Sequence, residues 1–175
     1  ELGGIVSNPL LSKVYEGIEM AKVNQVDAIL SVGGGSVLDS SKAIAAGALY
    51  DGDVWDFFLG KASVTKALPL FDIITLAATG SEMNCGGVVT NDTTKQKYAI
   101  QSPFLYPKVS IISPELQSTV SKDYLVYSAS DIIAHCIEGY FTATVQPNLI
   151  NRQIEAIITT VMEATEVLID NPKNY

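Results

Sequence analysis

The fold of this chain is decided by the stretch Ala28–Ala48, which reads AILSVGGGSVLDSSKAIAAGA. Its first five residues form a short apolar run bounded by Asp27 and by glycines, and such a run predicts a strand buried on both faces of a parallel sheet. Gly33 to Ser36 break the strand, and the composition from Val37 to about Ala48 favours a helix that packs closely through its alanines. The stretch therefore predicts a strand, a glycine turn and a helix, which is the start of an α/β unit.

The elements around this stretch follow from hydrophobic spacing and turn residues. Apolar residues at helical spacing after Asn8-Pro9 predict a helix over about 10–25. Residues about 50–66 are expected to form a loop anchored by Trp55, Phe57 and Phe58. Further expected elements are a buried strand over about 68–76, a β-hairpin of residues 87–90 and 97–100, a strand over 109–112, and helices over about 122–142 and 148–169.

Only helices are predicted after Ser121, so the chain is expected to change character near residue 120. We predict a dinucleotide-binding α/β domain over residues 1–120, with its N-terminal part missing. Residues 121–175 are predicted to be the first helices of an all-α metal-binding domain, cut short at its end. The apolar face of the helix over 148–169 would normally pack against helices that are not present, and we expect it to be exposed.

Composition excludes several classes of function. The 175 residues are 47% hydrophobic and 17% charged, which is typical of a folded globular protein. A net charge of −8 leaves no basic surface for nucleic acid or an anionic membrane, although backbone N–H groups can still bind the phosphates of a cofactor. No apolar run approaches the roughly 18 residues of a membrane span. Cys85 and Cys136 form no C-x-x-C pair, so we expect reduced thiols in a cytoplasmic protein.

The glycine turn lies where a phosphate cradle must lie in order to use the free N–H groups at a helix start. Gly33, Gly34 and Gly35 let the backbone approach an anion closely, but three glycines could also form a merely tight turn. Ser36 can cap the helix, and Asp39 stands three residues later as in a capping box. That local role would by itself explain both polar residues.

A second turn, Thr79-Gly-Ser-Glu82, has two interpretations. Thr79 could cap a helix while Glu82 reaches back to it, as in a capping box. Alternatively, Thr75, Thr79 and Ser81 could line the same crevice as the glycine turn, because open α/β sheets bind ligands beyond the carboxyl ends of their strands.

Asp131 and His135 are four residues apart on a predicted helix, so both side chains could reach one divalent ion. An imidazole with a carboxylate suits Zn²⁺ or Fe²⁺, but a surface ion pair or a hydrogen-bonded His is the commoner explanation of such a pair. Glu138 follows on the same face as a third ligand or as a hydrogen-bond acceptor for His135. Cys136 has no second cysteine beside it and is not expected to bind metal.

Taken in order, these motifs resemble the iron-containing (group III) alcohol dehydrogenase family, most closely its branch of butanol dehydrogenases and NAD(P)H-dependent aldehyde reductases. The resemblance covers essentially the whole chain. It rests on five motifs: Asn8-Pro9, Gly33–Lys42, LAATGSEMN over 76–84, Ser113–Leu116 and Asp131–Glu138. It implies that a cofactor, NADH or NADPH, is contacted by Gly34, Gly35, Ser36 and Asp39, with Asn8, Thr75, Thr79, Lys97 and Leu116 at further cofactor-lining positions.

The resemblance also implies a divalent metal, Fe²⁺ or Zn²⁺, held by one Asp and three His, of which Asp131 and His135 match the first two. His135 is the only histidine, so the remaining ligands are expected in a later part of a protein about twice this length. This chain alone is then expected neither to hold the metal tightly nor to catalyse alcohol oxidation, because catalytic metal sites generally need at least three protein ligands.

The implied activity is reversible hydride transfer between NAD(P)H and a small alcohol or aldehyde in a homo-oligomeric, dimeric full-length protein. Two alternatives stay open at this point. One is an NAD-binding enzyme with a dehydroquinate synthase-like fold, and the other is a non-catalytic nucleotide-binding module if the chain is complete as it stands.

Overall fold

The computed structural model describes residues 1–145 and 147–174, which divide into two compact units. The first unit contains Glu1–Thr75 and Gly80–Ile112. The second contains Leu76–Thr79 and the described residues from Ser113 onward.

The helices and strands occur close to their predicted positions. The helices are α1 (Leu11–Val23), α2 (Gly35–Ala48), α3 (Trp55–Phe58), α4 (Pro114–Gln117), α5 (Lys122–Thr142) and α6 (Asn148–Asp170). The strands are β1 (Ile29–Gly33), β2 (Leu70–Ile74), β3 (Gly86–Asn91), β4 (Gln96–Gln101) and β5 (Val109–Ile112). The predicted loop over 50–66 contains the short helix α3, whose three aromatic residues are all buried, as expected of anchors.

The first unit is built on a parallel sheet with strand order β1-β2-β5, which confirms the predicted α/β class. Helix α2 packs on one face of this sheet, where Ala45 lies with Leu70 and Ile29 in one apolar cluster. Strands β3 and β4 pair antiparallel as the predicted hairpin. The glycine turn therefore sits at the carboxyl end of β1, between the sheet and the start of α2.

The expectation that β1 is buried on both faces is wrong for the described residues. Leu30 is 61% exposed and Val32 is 55% exposed, whereas Ser31 between them is buried. Side chains alternate between the two faces of a strand, and α2 covers only the face that carries Ser31. A continuous apolar run thus predicted the strand correctly but not how much of it is covered.

Helices α1 and α2 pack closely because each has a glycine opposite an isoleucine of the other. A Cβ atom on Gly17 of α1 would lie 2.8 Å from Cγ1 of Ile44 on α2. In the same way, a Cβ atom on Gly47 of α2 would lie 2.9 Å from Cγ1 of Ile18 on α1. These approaches hold α2, and with it the glycine turn, against the rest of the unit.

Replacing Gly17 with Val is expected to destabilise the full-length protein by about 1–3 kcal/mol, as overpacking of a filled core does. Ile44 would have to move, and the residue beside it, Ala43, is fully buried. The measurement is the free energy of unfolding in urea. Gly3→Val is the matched control, because nothing lies within 4 Å of a Cβ at Gly3; equal loss of stability in both variants would contradict this account of the packing.

The second unit is helical after Ser113. Ser121 caps α5, since its hydroxyl oxygen accepts a hydrogen bond from the amide of Tyr124 at 3.3 Å. Helix α6 has no buried residue, but the predicted exposure of its apolar face holds only in part: Ile157 is 46% exposed, whereas Ile154, Ile158, Val161 and Leu168 are half-buried. None of the helices within 1–145 and 147–174 is long and apolar enough to cross a membrane.

Candidate functional site

The glycine turn presents backbone amides at the start of a 14-residue helix. Gly34 precedes α2 in an extended conformation, and the first bonds of the helix run from the amides of Val37 and Leu38 to its carbonyl oxygen at 3.0 and 3.2 Å. The amides of Gly34, Gly35 and Ser36 come before these bonds and have no acceptor within the helix. No described side chain caps this end.

The prediction that Ser36 caps this helix is wrong. The cap position belongs to Gly34, and Ser36 is already the second residue of α2. The helix starts earlier than predicted because Gly34 and Gly35 continue directly from β1 without an intervening loop. Ser36 therefore stands beside the free amides with its side chain not used as a cap.

Gly33 is needed because β1 and α2 approach each other closely at this point. A Cβ on Gly33 would lie 2.6 Å from Cγ2 and 2.9 Å from Cβ of Val37, a branched side chain with little freedom to move. The amide of Thr75, directly after β2, donates to the carbonyl of Gly33 at 2.9 Å. Thr75 and the glycine turn thus lie side by side at the carboxyl ends of two neighbouring strands.

Asp39 does not reach back to the start of its helix as a capping box requires. Its Oδ1 accepts a hydrogen bond from the Ser81 hydroxyl at 2.7 Å, and its Oδ2 accepts one from the Val88 amide at 2.9 Å. Asp39 therefore bonds to these two residues, which are distant in sequence, and not to the amides at the start of its own helix. Burial raises the pKa of the Asp39 carboxyl, while these two hydrogen bonds and the nearby Lys42 ammonium partly offset that rise.

Lys42 is the functional candidate that sequence reasoning missed. The residue is 0% exposed, yet five oxygen atoms lie 2.6–3.0 Å from its Nζ atom. They are the backbone carbonyls of Ser81, Asn84 and Gly86, the Ser81 hydroxyl and the Asn84 side-chain oxygen. The available signal was a single lysine inside an alanine-rich helix that was expected to pack on the sheet.

The second turn is also not a capping box. Gly80 has a positive φ of 70° and precedes a single 3-10 turn, Ser81–Met83, so Thr79 caps no helix. Ser81 is buried and bonds to both Asp39 and Lys42. The turn is held by these contacts between its Ser81 side chain and two side chains of α2.

Asn8 and Lys97, two of the cofactor-lining positions that the resemblance implies, are in contact. Lys97 on β4 donates to Asn8 Oδ1 at 2.7 Å across 89 positions. The hairpin is docked here, because the amide of Thr90 donates to the carbonyl of Pro9 at 2.8 Å and Asp92 accepts from the Ser12 amide at 3.2 Å. A cation and an amide are thereby fixed near the first turn of α1.

Two of the predicted cofactor-lining residues belong to the second unit. Thr79 and Leu116 are both exposed there, Leu116 on α4. Next to Leu116, Gln117 lines a largely apolar cavity of about 280 Å³ together with Leu125 and Leu168.

The predicted metal ligands lie on one exposed face of α5. Asp131 Oδ2 is 3.8 Å from His135 Nε2, and Glu138 Oε2 is 3.9 Å from His135 Nδ1. Two atoms 3.8 Å apart can be bridged by an ion bound at about 2.0–2.2 Å from each, so this donor pair fits a divalent metal. Within the described residues, no group of three or more His, Cys, Asp or Glu side chains could hold an ion together.

The two carboxylates approach opposite nitrogens of the imidazole ring. Asp131 and Nε2 would hold an ion together, whereas Glu138 lies near Nδ1 instead. This arrangement favours Glu138 as an acceptor that orients His135 over Glu138 as a third ligand.

These features define a class of protein: a parallel α/β unit with an uncapped glycine turn, followed by a helix that carries a metal-compatible Asp–His pair. The chain belongs to the iron-containing alcohol dehydrogenase family, whose model matches residues 1–114. This family assignment favours the dehydrogenase interpretation over the dehydroquinate synthase-like alternative.

Individual relatives agree with this assignment. A protein named probable NADH-dependent butanol dehydrogenase 1, from Bacillus subtilis, is 45% identical over the whole chain. An NADPH-dependent aldehyde reductase from Escherichia coli is 33% identical, also over the whole chain. The chain spans 45% and 46% of the lengths of these two relatives.

Solved structures show the same fold. The crystal structure of NADH-dependent butanol dehydrogenase A from Thermotoga maritima superimposes with a TM-score of 0.95 at 53% identity, over 98% of this chain and 43% of that one. A sulfoacetaldehyde reductase from Bifidobacterium kashiwanohense, in complex with NAD+, superimposes with a TM-score of 0.91 at 28% identity. That match covers 99% of this chain and 46% of the reductase.

Proposed function

We propose that the full-length protein carrying this chain is a metal-dependent NAD(P)H alcohol dehydrogenase or aldehyde reductase of the butanol dehydrogenase type. The observation that carries the proposal is the uncapped start of α2, which follows a parallel strand directly in a chain of this family. Relatives named for NADH and for NADPH both support a nicotinamide cofactor.

The amides of Gly34, Gly35 and Ser36 are proposed to bind the cofactor pyrophosphate. A helix start concentrates partial positive charge and free N–H donors, which stabilises a phosphate even in a protein of net charge −8. Thr75 lies next to this turn, and Lys97 and Asn8 supply a cation and an amide at a further part of the proposed site. We also propose cofactor contacts for Thr79 and Leu116, as the resemblance implies.

Asp131 and His135 are proposed to hold a divalent ion, with Glu138 orienting the imidazole through Nδ1. When bound, the ion supplies Lewis acidity to an alcohol or aldehyde oxygen, and the nicotinamide ring supplies or accepts the hydride. The residues of this chain bind and orient; none of those described is proposed as a nucleophile. The further ligands are expected in the rest of the full-length protein.

Small alcohols and aldehydes are the proposed substrates, since the relatives are named for butanol and for aldehydes. The dimeric assembly and the cytoplasmic location remain predictions from the resemblance and the cysteine content.

The proposed function is tested by reduction of butanal with NADH and with NADPH, using the full-length protein before and after removal of metal by a chelator. We expect turnover that is lost on chelation and restored by Fe²⁺ or Zn²⁺. Absence of NAD(P)H-linked turnover with short-chain aldehydes after metal is restored would contradict the proposal and favour a non-catalytic nucleotide-binding module.

A further inference from the structure

Lys42 ties the two turns at the carboxyl ends of β1 and β2 to each other. It lies on α2, two turns after the glycine turn, and its ammonium reaches a segment 39 to 44 positions later in the sequence. That segment, Gly80–Gly86, runs from the second turn to the start of β3. One side chain therefore connects the helix that begins at the glycine turn with the backbone of the neighbouring turn.

The conformation of the Gly80–Gly86 segment is organised around the Lys42 charge. Carbonyl groups of three of its residues point at one nitrogen instead of pairing along a strand. Four of the five oxygens around Nζ are carbonyl oxygens, which only accept hydrogen bonds, and the fifth, the Ser81 hydroxyl, already donates to Asp39. The Lys42 ammonium, with its three N–H groups, is the donor that this group of acceptors shares. Removing the ammonium would take a charged donor from all five oxygens, although the Gly86 amide would still donate to Asn84 Oδ1 and the Asn84 amide to the Ser81 carbonyl.

Asp39 reinforces the same connection from one turn earlier on α2. Its carboxylate holds the Ser81 hydroxyl and the Val88 amide, and Ser81 in turn accepts from Lys42. Because residues three apart lie on one helix face, Asp39 and Lys42 can both bond to Ser81. Lys42 is fully buried, and each Asp39 oxygen accepts a hydrogen bond from the protein. Both groups therefore bond to the protein.

We propose that Lys42 is a positioning residue for cofactor binding: with Asp39 and Ser81 it locks the Gly80–Gly86 segment against α2 and so presets the crevice in which the dinucleotide lies. This inference rests on the proposed function for its cofactor part, while the lock itself is a property of the cofactor-free protein. Lys42 then affects the affinity for NAD(P)H without contacting the cofactor.

The test uses Lys42→Met in the full-length protein, which keeps the length of the side chain and removes its charge. Hydrogen exchange of peptides covering residues 80–88 is measured without cofactor, and the dissociation constant of NADH and NADPH is measured by titration. We expect at least about tenfold faster exchange in these peptides and at least about tenfold weaker cofactor binding, with kcat at saturating cofactor within about twofold of the parent.

Lys22→Met is the matched control, because Lys22 is an exposed lysine of α1 that donates to one backbone carbonyl, that of Tyr50. It should change neither measurement. If the circular dichroism spectrum shows that Lys42→Met does not fold like the parent, the same two measurements are made on Ser81→Ala. This substitution removes one hydrogen bond to Lys42 and the hydrogen bond to Asp39.

Unchanged exchange over residues 80–88 in the folded variant would overturn the lock. Faster exchange with unchanged cofactor affinity would overturn the positioning role. A parent protein that binds neither NADH nor NADPH would refute the proposed function, and with it the positioning role of Lys42. The exchange measurement would still test whether Lys42 holds the Gly80–Gly86 segment.

Discussion

Replacing Ser36 with Asp is expected to weaken the binding of NADH or NADPH to the full-length protein by at least about tenfold, which corresponds to about 1.4 kcal/mol. Ser36 is the second residue of α2 and stands beside the amides proposed to bind the pyrophosphate. A carboxylate there would repel the phosphates, and two charges about 4 Å apart interact by about 1–4 kcal/mol between water and a protein surface.

The same substitution should not weaken the fold, and this makes the variant informative. An acidic residue in the first turn of a helix interacts favourably with the helix dipole, and the first turn of α2 carries no acidic residue. The midpoint of thermal unfolding should therefore be unchanged or higher while the dissociation constant rises.

Ser63→Asp is the matched control, because Ser63 is an exposed residue of the loop between α3 and β2. It adds the same charge to the protein away from the proposed site and should leave cofactor affinity within about twofold of the parent. Parent-like affinity in folded Ser36→Asp would show that the pyrophosphate does not bind at this turn.

Replacing Asp131 with Asn is expected to lower both the metal content and the turnover of the full-length protein by at least about tenfold. The amide has nearly the shape of the carboxylate but lacks its negative charge, so it is a poor ligand for a divalent ion. Elemental analysis of the purified protein and NAD(P)H-linked reduction of butanal measure the two effects, and cofactor affinity should stay close to that of the parent.

Asp123→Asn serves as the control on the same helix, since Asp123 is an exposed acid in the first turn of α5. If Asp131→Asn keeps its metal and its turnover, Asp131 is only the surface partner of His135 in an ion pair. If both variants lose metal equally, the effect comes from the charge of the helix rather than from a ligand.

Local elements were the part of this fold that sequence could predict. The strand Val109–Ile112 and the helix starting at Lys122 are placed as expected, because short apolar runs and the Ser121 cap act over a few residues. The hairpin was equally clear, since its polar turn joins two β-prone runs.

The failed predictions of helix caps at Asp39 and Thr79 share a physical cause, which is competition from partners distant in sequence. Ser36 and Asp39 looked like a capping box, but Asp39 bonds instead to Ser81 and Val88, 42 and 49 positions away. Thr79 failed as a cap for a related reason: its turn is held by Lys42 and Asp39 from α2. A local sequence pattern cannot show which partner distant in sequence will form the hydrogen bond.

Candidate site residues were recognised from motif order rather than from geometry. The contact between Asn8 and Lys97 spans 89 positions, and nothing in the spacing of these residues predicts it. Lys42 lay within a quoted motif but was overlooked, because lysines are almost never fully buried unless they are paired. Its burial and its five oxygen neighbours become visible only when the second turn is folded against α2.

The most direct test of the central claim is a crystal structure of the full-length protein in complex with NAD(H) or NADP(H). Our account predicts that pyrophosphate oxygens lie about 3 Å from the backbone nitrogens of Gly34, Gly35 and Ser36, at the start of α2. A bound cofactor whose pyrophosphate lies elsewhere, with these amides facing only solvent, would contradict it.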